Sequence, residues 1–258
     1  DLFLNPPNGN LILNAAFFSG IHKTLEDEHV NALMALTPAE NIELEAIPSP
    51  TAVPAYWLNG AKKAPNLKNL TVRNMKMETE GRAALISLIK EKPLTGLTVV
   101  NTDIASEQIG FSNFCSAVSK CGTLTNLCVS YNRGLFAPMM ENLTGALKTL
   151  SLKELDISGQ MYTSRTFEGL PETLESLSIK DMSYSHFPQT DFLFALTDLP
   201  NLKSVNAAGD YLFFDNFEKL CRALPETKIE RLNLRWAKES SAGEKLSDKT
   251  ADALINAM

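Results

Sequence analysis

A chain of 258 residues, 44% hydrophobic and 21% charged, is long enough to bury a substantial core, and its net charge of −6 supplies no basic face for nucleic acid. The same acid excess gives no attraction to anionic membrane surfaces, and no apolar run reaches the ~20 residues of a membrane-spanning helix. Four scattered cysteines, Cys115, Cys121, Cys128 and Cys221, do not form the clustered pattern of a disulfide framework, which points to a reducing compartment.

Residues 1–38 read as an N-terminal capping segment or a degenerate repeat. Leu11-Ile12-Leu13 is a candidate strand, and Leu25 to Leu36 a helix with Leu25, Val30, Leu33 and Leu36 inward. Thr24, with Asp27 three residues on, resembles a capping box. Leu11 to Ser19 is apolar, but Asn14 interrupts it and no basic flank precedes it, so it is not a signal peptide.

From residue 39 to 258 one pattern returns eight times, L-x-x-L-x-L or a variant of it. The copies are Ala39-Ile42-Leu44, Leu67-Leu70-Val72, Leu94-Leu97-Val99, Leu124-Leu127-Val129, Leu152-Leu155-Ile157, Leu174-Leu177-Ile179, Leu202-Val205-Ala207 and Ile229-Leu232-Leu234. Their starts are 28, 27, 30, 28, 22, 28 and 27 residues apart. Each copy ends in the alternation of a half-buried strand. The stretches between take a helical period: Ala84, Leu85, Leu88 and Ile89 share one face, as do Phe111-Phe114-Val118, Phe136-Met140-Leu143-Leu147 and Phe214-Phe217-Leu220-Leu224. Pro93, Pro171, Pro200 and Pro225 mark helix ends. The 22-residue step leaves room for only a turn or short 3₁₀ piece near Phe167, with a change of curvature there. Asp248 to Met258 reads as a last helix without a cap, as if the domain continued beyond it.

Leu152-Lys-Glu-Leu155-Asp-Ile157-Ser-Gly and Leu124-Thr-Asn-Leu127-Cys-Val129-Ser-Tyr-Asn132 resemble leucine-rich repeats of the ribonuclease-inhibitor-like class. The resemblance covers roughly residues 39 to 258. It implies an α/β right-handed solenoid of about eight repeats, with a curved parallel sheet inside and helices outside. The family's ninth position is usually Asn or Cys. Here it is Ile47, Met75, Thr102, Asn132, Gln160, Met182, Asp210 and Ala237, so the copies have diverged individually. Leu170-Pro171-Glu-Thr-Leu174 is similar to the repeats of bacterial pathogen effectors, which would place the chain in a host cytosol after secretion. The class mostly binds other proteins on its strand face and adjoining loops. The resemblance therefore implies a non-catalytic protein-binding module with a protein partner, no cofactor and no metal. The alternatives are the substrate-recognition part of a larger enzyme, such as a ligase or another effector, and a regulator of the GTPase-activating type.

The residues themselves offer little chemistry. His22, His29 and His186 form no metal-binding pair, and no phosphate loop or nucleophile elbow is present. Cys128 points outward from its strand but has no neighbour in sequence to lower its pKa, so it reads as a small neutral side chain. Glu154 and Asp156 read as solvated acids, because a glycosidase pair needs a cleft that raises one pKa. The outward positions start acidic (Glu40, Glu43, Glu45), turn basic (Lys68, Arg73), and then mix signs through Asp156, Lys180 and Arg235. That mixture is either a solvated face or a charged epitope. Tyr131, Tyr162, Tyr184, Tyr211 and Trp236 each fall seven to ten positions past the first core residue of their copy. Together with Arg133 and Arg235 they supply the residue types of interface hot spots, and repetition predicts that they line one edge of the sheet.

Overall fold

The computed structural model of the chain describes residues 7–14, 27–45, 55–181, 196, 198–209, 211–212, 221, 223–233 and 238–239. The chain forms two compact units, Asp1–Leu135 and Phe136–Met258.

In the first unit five strands run parallel in chain order: β1 (Asn10–Asn14), β2 (Asn41–Glu45), β3 (Asn69–Arg73), β4 (Gly96–Val100) and β5 (Asn126–Cys128). Their register aligns Leu11, Ile42, Leu70, Leu97 and Leu127 in one buried row and Leu13, Leu44, Val72 and Val99 in another. Period-2 alternation sends these side chains to one face, where burial of aliphatic carbon supplies the main stabilisation. The helices α1 (Asp27–Leu36), α2 (Ala55–Ala61), α3 (Thr79–Glu91) and α4 (Gln108–Val118) pack each on the next. Helix α3 buries Ala84, Leu85, Leu88 and Ile89, and α4 buries Phe111, Phe114 and Val118, the faces expected from their spacing.

Two features of this unit depart from expectation. Helix α1 buries Val30 and Met34 and leaves Leu36 exposed, so its inward face is rotated from the one drawn through Leu33 and Leu36. Helix α2 has only seven residues and no long apolar period to announce it. It lies against α1 through Gly60, where a Cβ would come within 3.0 Å of Val30 and 3.2 Å of Met34. Thr24 lies outside the described residues, as does most of the Phe214–Leu224 helix.

In the second unit β6 (Glu154–Asp156), β7 (Ser176–Ser178), β8 (Ser204–Asn206) and β10 (Arg231–Asn233) are parallel, with Leu155, Leu177, Val205 and Leu232 in register. A separate parallel pair joins β9 (Tyr211–Leu212) to β11 (Lys238–Glu239). Helix α5 (Ala137–Leu147) buries Met140, Leu143 and Leu147. Phe136 precedes the helix in extended conformation and is 59% exposed, so it does not share that face. In the shortened repeat a five-residue α-helix, α6 (Ser164–Glu168), replaces the expected turn or 3₁₀ piece. It packs on α5 through Gly169, where a Cβ would meet the Thr144–Gly145 backbone at 2.9 Å.

Parallel strands alternating with helices in chain order make an α/β architecture compatible with a solenoid. One backbone device recurs in both units. The residue four positions past the core strand residue has positive φ in six successive copies: Asn74 (55°), Asn101 (50°), Tyr131 (54°), Gly159 (72°), Asp181 (52°) and Gly209 (82°). From this bend the N–H groups of Asn74, Asn101, Gly159 and Asp181 donate to the Val100, Ser130, Lys180 and Ala208 carbonyls of the next copy. Among the described residues no helix is long and apolar enough to cross a membrane.

Candidate interaction surface

The strand face opposite the aliphatic rows carries polar side chains that largely satisfy one another. Asn41 Nδ2 donates to Asn10 Oδ1 at 2.6 Å, Asn69 Nδ2 to Asn41 Oδ1 at 2.5 Å, and Thr95 Oγ1 to Asn69 Oδ1 at 3.0 Å. A second relay runs from Asn101 Nδ2 to Asn74 Oδ1 (2.9 Å) and from Asn74 Nδ2 to Glu45 Oε1 (3.3 Å). These amide ladders went unrecognised in the sequence. Their signal was an Asn directly before the core residue in Asn10-Leu11, Asn41-Ile42, Asn69-Leu70 and Asn126-Leu127.

The acidic β2 and basic β3 neutralise each other. Lys68 meets Glu40 at 2.7 Å, and Arg73 Nε meets Glu43 Oε1 at 3.0 Å. Arg73 therefore stands on the face as expected, but engaged. In the second unit Glu175 lies between Lys153 (3.3 Å) and Lys203 (3.2 Å). Hydrogen bonds from Lys203 and then Lys153 hold its carboxyl below the ordinary value of 4.5. The contribution is present above the unfolded-state pKa and disappears as pH falls through the lowered one. An NMR titration of the Glu175 carboxyl should move up toward 4.5 in Lys203→Met, and an unchanged midpoint would remove the triad from this account.

The proposed site residues fall into three groups. Tyr131 is 39% exposed, and Arg133 is exposed in the turn after β5. Asp156 is half-buried, and its Oδ1 accepts the Ser158 N–H at 2.9 Å, closing the strand end. Lys180 is half-buried, and its own N–H donates to Ser158 Oγ at 3.0 Å. Tyr162 corrects the expected aromatic edge: it is only 9% exposed, its ring packs on Phe167, and its hydroxyl donates to the Ile157 carbonyl. The shortened repeat draws this ring into the core, where its hydroxyl finds a backbone partner. Tyr211 begins β9, and Tyr184, Arg235 and Trp236 lie outside the described residues.

Asn132, between Tyr131 and Arg133, is the best-satisfied polar side chain of the surface's support. Its Oδ1 accepts from Thr102 N and Thr102 Oγ1, both at 2.8 Å, and its Nδ2 donates to Val99 O (2.8 Å) and Ser130 O (3.1 Å). Among the described copies Tyr131 is the member of the positive-φ row that is not Asn, Asp or Gly. A bulky residue there costs about 1–3 kcal/mol. Tyr131→Asn should accordingly raise the urea midpoint, and an unchanged or lowered midpoint would show that the ring offsets its own strain.

A cleft of about 500 Å³ opens where the first turns of α3 and α4 meet, lined in part by Lys76, Glu78, Glu80, Arg82, Asp103 and Glu107. Arg82 is buried and acts as a strut, donating to Glu107 Oε2 (2.8 Å), Ser106 Oγ (2.7 Å) and the Met77 carbonyl (3.0 Å). Among the described residues no group of three His, Cys, Asp or Glu is arranged to hold a metal ion. Burial pushes the Cys115 thiol up to about 12, which keeps it neutral and unreactive at physiological pH. Cys128 is half-buried, with its Sγ 3.2 Å from Ser130 Oγ.

The geometry defines an α/β protein whose parallel strands present a self-paired polar face with an aromatic and a cation at one turn. No family model matches the chain, and neither does any curated protein.

Proposed function

We propose that the chain is a leucine-rich-repeat solenoid of the ribonuclease-inhibitor-like class, right-handed, and that it works as a non-catalytic module binding a protein on its strand face and adjoining loops. One observation carries this reading. The buried rows and the positive-φ bend repeat from copy to copy, while the outward position in register varies: Glu43, Thr71, Thr98 and Cys128, then Asp156, Ser178, Asn206 and Asn233. A constant frame with variable outward side chains suits recognition by a rigid surface. The divergence of the copies and the L-P-x-x-L segment favour an effector acting inside a host cell, in a reducing compartment.

The test is site-directed photo-crosslinking. A photoreactive residue at Thr71, Thr98 or Ser178 should give protein adducts in the source cell or its host, whereas the same residue at exposed helix positions Ala83, Asn113 or Ser116 should not. Equal labelling from both sets, or none from the strand face, would sink the reading.

A further inference from the structure

We draw no further inference here: the strongest candidate, the cleft where the first turns of α3 and α4 meet, gathers Glu78, Glu80, Asp103 and Glu107 into an acidic cluster suited to a cation, whereas the buried, unpartnered Nε of Arg82 beside it calls for an acceptor, so nothing in the structure shows what would fill it.

Discussion

Asn132→Ala is expected to lower stability by about 3–5 kcal/mol, because truncation leaves buried backbone groups without their partner. The side chain makes four hydrogen bonds of 2.8–3.1 Å, to Thr102 N and Oγ1, Val99 O and Ser130 O. Without it the Thr102 N–H and the Val99 carbonyl lose a partner inside the protein. Thr102→Val provides the calibration. It deletes only the hydroxyl donor and leaves Asn132 Oδ1 its backbone donor, so about 1 kcal/mol should be lost. Urea denaturation of the two variants gives both values. If Asn132→Ala costs no more than Thr102→Val, the turn is held by its chain path and not by the amide.

The second large effect is a change of sign. Arg82→Ala should cost about 3 kcal/mol through the cavity it leaves and the donor it takes from the Met77 carbonyl. Glu107 adds little to this loss, since its side chain is 59% exposed and returns to water. Arg82 also carries a buried Nε without a partner, so its net worth is less than its three bonds suggest. Gly110→Ala alone should destabilise by about 1–3 kcal/mol, because overpacking at a pinned side chain is costly. Its Cβ would sit 2.6 Å from Arg82 Nη1 and 2.7 Å from Cδ. In the Arg82→Ala background the same substitution should stabilise by roughly 0.5–1 kcal/mol, since the obstruction is gone and Ala is the better helix residue. A double-mutant cycle reads the coupling directly. Additive effects would mean that Arg82 swings aside freely and is no strut.

Most of the frame was legible in the chain. The pattern Leu67-Leu70-Val72 and its relatives placed the strands, their inward residues and the helices α3 and α4, because period-2 and period-3.6 burial are properties of local sequence. The 22-residue step left too little room for a full helix, but where it predicted a turn or 3₁₀ piece the chain forms the five-residue α-helix α6. The face of α1 and the existence of α2 were not legible. Both depend on a close approach at Gly60 between segments distant in sequence.

The charge map was read correctly as composition, yet its meaning was tertiary. Glu43 and Arg73 stand 30 residues apart, and only parallel register makes them partners. Tyr162 shows the same limit, since its position past the strand matched the other aromatics while the shortened repeat turned it inward. By itself the sequence determined an α/β chain of repeated strand and helix, because alternation and spacing are local and recur. Only the tertiary structure decided which outward residues are spent on one another, because that choice is made between side chains about one repeat apart.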